Sequence, residues 1–197
     1  MKKVLAFALI AVSLLAGCGD KKAEAPKVAF QSTDLTGASF ARDFALTDHN
    51  GKPRIMADFK GKAVIMFFGY TQCPDVCPTT MAEMSEVMKQ LGPQAEQLQV
   101  LFVTVDPERD TQKLLSEYVP AFDKRFLGLY GTLEQTAAVA KEFKVMYAKV
   151  PATTPGSYSM DHTAASYVFD KQGKLRLLLR PGQPTSFTVH DLKLLLS

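Results

Sequence analysis

Two cysteines, Cys73 and Cys77, stand four positions apart in the stretch 68–80, FGYTQCPDVCPTT. The stretch follows the apolar run 63–68, so a buried strand passes into a two-thiol loop and then into a helix pattern. Sulfurs at such a junction suit soft-metal binding or thiol–disulfide exchange. Both chemistries need thiolate, and the N–H groups and dipole of a helix start stabilise that anion. Three residues lie between the cysteines, one more than in the C-x-x-C redox motif. The longer ring lets both sulfurs turn toward a common outside point. A metal held there gains weight with a third ligand. Of the three histidines, His49 lies in the turn sequence Asp-His-Asn-Gly and reads as solvated. His190, beside Asp191, reads as a surface or capping residue opening the last helix. His162, in the segment SMDHT ahead of an apolar strand, reads on its own as structural.

An alternation of strands and helices must position these residues. Residues 40–46 read as a short strand entering a hairpin turn at 48–51, and 63–68 as a buried strand. Pro78-Thr79-Thr80 suits a helix first turn, and Met81, Met84, Val87, Met88 and Leu91 recur at helical spacing until Gly92-Pro93 stops the run. That spacing assigns the methionines to the core rather than to a metal, while Met160 stays open. A second strand is expected over 100–105, helices over 111–119 and 133–143, and a strand over 145–150. Strands 165–169 and 175–179 flank the turn 170–173 as a hairpin, and a helix over 189–196 closes the chain. Parallel β-α-β units followed by an antiparallel hairpin describe an α/β domain with a mixed central sheet flanked by helices.

The N-terminus points to export. Lys2-Lys3 precedes an apolar run over 4–16 that is short for a membrane span, and then comes Leu15-Ala16-Gly17-Cys18. LAGC resembles the lipobox of bacterial lipoproteins, which implies cleavage before Cys18 and lipid on that residue. The expected organisation is a signal peptide over 1–17, a lipidated Cys18 with a flexible tether over 18–32, and one domain over 33–197. Loss of Lys2 and Lys3 brings the formal charge down from +3, and no basic cluster offers a stripe for nucleic acid. With Cys18 assigned to lipid, only Cys73 and Cys77 remain. A domain of this size has core enough to stand without a disulfide, and so short a loop gains little from closure. The pair therefore reads as functional.

FGYTQCPDVCPTT, the later TVDPERDT over 104–111, and DHTAASYVFDKQG over 161–173 together resemble the Sco/SenC family, in order and spacing, from about Thr33 to the C-terminus. The resemblance implies a thioredoxin-like fold with a C-terminal β-hairpin and helix. It also implies a copper site made of the two loop cysteines and the histidine of the Asp-His segment, which are here Cys73, Cys77 and His162. The family's attachment to the membrane, by lipid or a single span, fits Cys18. The implied role is a copper chaperone on the periplasmic side of a bacterial membrane, helping to metallate cytochrome c oxidase at its two-copper site. Its partners would be the copper-bearing subunit and other copper chaperones.

Two thiolates and an imidazole form a soft set suited to Cu(I) and able to take Cu(II). A structural zinc would want four protein ligands, and no further Cys or evident His is left. Asp161 and Asp75 are assigned to shaping the loop or tuning its charge. The 104–111 motif reads as scaffold for the rim of the site, with Asp110 or Thr111 capping the next helix and Arg109 paired to a carboxylate. The alternative is a thiol–disulfide reductase in which Cys73 and Cys77 are the redox pair that keeps copper-ligand cysteines of the oxidase reduced. A peroxidase on the same fold would need a Thr/Ser–Arg set around the thiol, and none can be placed.

Overall fold

The computed structural model describes residues 29–153 and 156–197. The leader expected over 1–17, Cys18 and most of the tether lie outside the described residues. Among the described residues no helix is long and apolar enough to cross a membrane.

The centre of the molecule is two parallel strands, β4 (Ala63–Gly69) and β5 (Leu98–Thr104), every residue of which is buried. A strand covered on both faces reads as an unbroken apolar run, and AVIMFFG is one. Alternate side chains leave β4 on opposite faces. On one face Phe67 packs against Phe102, with ring centroids 6.1 Å apart. On the other Phe68 meets Phe143 at 5.4 Å, and Phe143 meets Tyr167 and Phe169 at 6.0 Å each.

The sheet extends outward on both sides. β6 (Leu127–Tyr130) runs parallel to β5, followed by the antiparallel strands β2 (Leu46–Asp48) and β3 (Pro53–Arg54). Beyond β4 lie β9 (Ser166–Phe169), β10 (Leu175–Leu179) and β1 (Thr33–Asp34), all antiparallel. The order β1-β10-β9-β4-β5-β6-β2-β3 is the expected mixed sheet. Its helices are α1 (Val76–Leu91), α2 (Gln112–Tyr118), α3 (Leu133–Glu142) and α4 (Thr185–Leu196). Met81, Met84 and Met88 of α1 are buried in the core, as their spacing predicts. A separate two-stranded sheet, β7 (Tyr147–Pro151) with β8 (Tyr158–His162), pairs with no strand of the main sheet.

Several boundaries differ from expectation. Residues 40–45 form no strand. Ala41 takes a positive φ of 53°, and the Asp43 carboxylate accepts the backbone N–H groups of Phe44 and Met56, a local capture that competes with a ladder. The hairpin is instead β2 with β3. The turn between them buries His49, which is only 8% exposed and not solvated. Its Nδ1 accepts the Gly128 N–H at 3.0 Å, and its own N–H donates to the Gly128 carbonyl at 2.8 Å. The strand expected over 145–150 lies over Tyr147–Pro151. α4 starts at Thr185, so His190 is an exposed mid-helix residue rather than the helix opening. Its neighbour Asp191 is fully buried and accepts the Gln31 and Ser32 N–H groups at 2.9 and 2.8 Å, pinning the entering chain to α4.

Candidate metal centre

The end of β4, the start of α1 and the end of β8 converge. Gly69 closes β4, and the chain turns through Tyr70 and Thr71 to Cys73, whose N–H donates to the Tyr70 carbonyl. α1 begins at Val76, so Cys77 sits in its first turn with its N–H directed at Cys73 Sγ, 3.4 Å away. Asp75 occupies the N-cap position, but its carboxylate caps no N–H. Gly69 is required at the floor: a Cβ there would lie 2.8 Å from the Phe67 ring and 3.0 Å from Cys77 Sγ.

His162 ends its own strand, β8, instead of merely preceding β9. The structure brings together the three expected residues. The Sγ atoms of Cys73 and Cys77 and a ring nitrogen of His162 lie within 4.8 Å of one another, and no carboxylate joins the cluster among the described residues. Metal–sulfur and metal–nitrogen bonds of about 2.3 and 2.0 Å around one ion hold such donors roughly 4 Å apart, so the set fits a single ion after a small contraction. Asp161 is exposed and alternates away from the cluster, and Met160 packs into the core.

The protonation of the site follows from its contacts. His162 Nδ1 lies 3.1 Å from the Thr163 carbonyl, an oxygen that can only accept, so Nδ1 carries the proton and Nε2 presents its lone pair. Nε2 is 3.4 Å from Cys77 Sγ. Burial lowers the pKa of His162 and pushes the Cys77 thiol well up, with the neighbouring Cys73 adding to the rise. The metal-free state is therefore a neutral imidazole accepting from a neutral thiol, Cys77 S–H to His162 Nε2. Cys77 is fully buried, whereas Cys73 is 9% exposed at the mouth, a cleft lined by Tyr70, Pro74, Val76 and residues 159–162.

Around the donors stands a polar rim that sequence reasoning resolves only in part. Arg109 pairs with Asp106, as expected, and Thr111 caps α2 through its hydroxyl. Asp110 caps nothing. It is buried, accepts the hydroxyls of Thr71 and Thr104 at 2.6 Å each, and so ties the cysteine loop to the end of β5. Burial raises its pKa against those hydrogen bonds. Tyr70 sets its ring edge-on to His162 at 5.9 Å, and Tyr158 donates its hydroxyl to Asp106 at 2.8 Å. Neither tyrosine stands out in the sequence. The available signal is the alternation of Tyr158, Met160 and His162, which puts all three on one side of β8.

The SCO1/SenC family model matches residues 32–197. The bovine mitochondrial SCO2 homologue is 42% identical over 133 residues, 66% of this chain and 50% of that protein. This chain thus spans about half the length of the mammalian relatives it matches. An SCO2-like protein of Rickettsia felis is 33% identical over 174 residues, 84% of this chain and 85% of its own. Among solved structures, Bradyrhizobium japonicum ScoI with copper bound superposes with a TM-score of 0.72 at 40% identity, covering 78% of this chain and 97% of that one. The shared architecture is thioredoxin-like.

Proposed function

The chain belongs to the SCO1/SenC family, and from that membership we propose that it holds one copper ion on Cys73, Cys77 and His162 and delivers it to the copper-bearing subunit of cytochrome c oxidase, at the two-copper site. The observation that carries this reading is the convergence of two sulfurs and one ring nitrogen within 4.8 Å, with no carboxylate among them. Copper supplies a soft acceptor for that donor set. The chain's own part is to hold the ligands and manage their protons. His162 is already neutral, its Nε2 lone pair accepting the Cys77 S–H, and Cys77 must give up that proton as metal is taken. Three ligands leave an approach for an incoming donor through the mouth at Cys73.

The membrane side of the proposal rests on the N-terminal residues. Lipid on Cys18 after removal of 1–17 would place the domain over 33–197 on the periplasmic side of a bacterial membrane, on a tether over 18–32. In cells deprived of this chain, oxidase activity and oxidase-bound copper should fall. The wild-type gene should restore both, and Cys73→Ser, Cys77→Ser and His162→Ala should not. Full restoration by His162→Ala would overturn the chaperone reading.

One observation favours a second role. Cys73 is the more accessible thiol and receives the Cys77 N–H, the polarity expected of an attacking sulfur. As a reductase the pair would cycle between dithiol and disulfide and keep the oxidase's ligand cysteines reduced. His162→Ala separates the two: thiol exchange should survive it and copper retention should not.

A further inference from the structure

β7 and β8 form a hairpin outside the main sheet, and a two-stranded hairpin by itself is marginally stable in water. Yet this hairpin carries His162, while both cysteines sit on β4–α1. The third ligand therefore reaches the other two only if the hairpin is docked. Met160 packs into the core and Phe67 and Tyr70 meet the His162 ring, while the polar docking contacts come from the 104–111 motif. The Arg109 guanidinium stacks on the Tyr158 ring at 3.6 Å and lies 5.7 Å from the Tyr70 ring. Its Nη1 donates to the Tyr158 carbonyl at 2.8 Å and to Gln72 Oε1 at 3.2 Å, and its Nε donates to Asp106. Asp106 in turn accepts the Tyr158 hydroxyl. Tyr70, held on one side by Arg109, presents its edge to His162. Lys149 of β7 pairs with Glu108.

We propose that Arg109 is a positioning residue for the metal site: with Asp106 it clasps Tyr158 at the start of β8, and so holds His162, at the end of the same strand, against Cys77. The proposal rests on the copper-site reading given above. Tyr158 and His162 share one side of a five-residue strand, so fixing the first fixes the direction in which the second points. Arg109 Nη2 is buried without a partner. The guanidinium thus leaves one donor unsatisfied while its other groups serve the hairpin.

The test uses the full chain and the variants Arg109→Met and Tyr158→Leu; the second leaves the Arg109–Asp106 pair in place should the first fail to fold. In the metal-free state, amide exchange over 147–151 and 158–162 should speed up by about tenfold or more in either variant, with β4 and β5 unchanged. Loaded with Cu(II), the variants should keep the sulfur-to-copper absorption but lose the nitrogen coupling of His162 in the electron paramagnetic resonance spectrum. Copper affinity should drop about 10- to 100-fold, the range for loss of a supporting partner. Unchanged hairpin exchange together with an intact nitrogen signal in both variants would overturn the proposal. If the native chain holds no copper, the copper-site reading fails by itself, and unchanged exchange in the metal-free variants still overturns the clasp.

Discussion

Cys77 and His162 hold one another in the metal-free chain, and the way they do so sets how metal loading responds to acid. Burial keeps the Cys77 thiol protonated at neutral pH and the His162 imidazole unprotonated at Nε2. Copper must therefore expel protons from sulfur and none from His162. Apparent affinity should weaken by about tenfold per pH unit for each proton displaced, a slope that competition titrations across neutral pH can measure. A pH-independent affinity would mean that the Cys77 thiol is already ionised. Gly69 is the second sensitive residue. A Cβ there meets the Phe67 ring at 2.8 Å and both Cys77 Sγ and the Phe102 ring at 3.0 Å. Gly69→Ala should cost about 1–3 kcal/mol through overpacking and loosen copper binding by displacing Cys77. Denaturant melts beside a copper titration check both. The three proposed ligands are legible in the sequence, the cysteines by their spacing and His162, structural when read alone, through the family resemblance. Tyr70, Tyr158 and Asp110 are not, because their roles come from tertiary partners 39 to 92 positions away.

At the level of elements, continuous apolar runs and helical methionine spacing suffice to read β4, β5 and α1, since burial on both faces and a single apolar stripe leave direct traces in composition. Short strands leave none. β1 and β3 have two residues each, and β8 mixes tyrosine, serine, aspartate and histidine because one of its sides serves the site. His49 misleads for a similar reason. Its turn sequence is polar, but the turn packs against β6, and Nδ1 becomes the acceptor for the Gly128 N–H. Burial lowers the pKa of His49 from 6.5. The unfolded chain therefore binds more protons as pH falls through that value, and the contribution of His49 to stability is present above it and lost in acid. Melting temperature should drop between about pH 7.5 and 5.5, and the slope should flatten in His49→Gln. An equal slope in that variant would place the acid sensitivity elsewhere. At the rim, the contacts differ in weight. Lys149 and Glu108 are 47% and 45% exposed, a setting in which a pair is worth about 1 kcal/mol or less. The charge-assisted bond from Arg109 to the Tyr158 carbonyl belongs to a class worth about 1.5–3 kcal/mol, so Arg109 is the stronger tie on the hairpin.

For the whole molecule, the sheet supplies rigidity and the hairpin carries His162, the third proposed ligand, so bringing the three donors together is a docking event between two parts of one chain. The entering backbone is pinned at Gln31 and Ser32 by Asp191, which fixes where a tether from Cys18 would meet the domain. Cys18→Ser should move the chain from the membrane fraction to the soluble fraction without changing copper binding by the domain; continued membrane association would contradict lipid attachment at that residue. The central claim is tested most directly by anaerobic Cu(I) titration of the reduced full chain beside Cys73→Ser, Cys77→Ser and His162→Ala. The account predicts one tightly held copper per chain, weakened by each of the three changes. Failure of the reduced chain to retain copper, or a His162→Ala variant that binds it as tightly as wild type, would contradict the account.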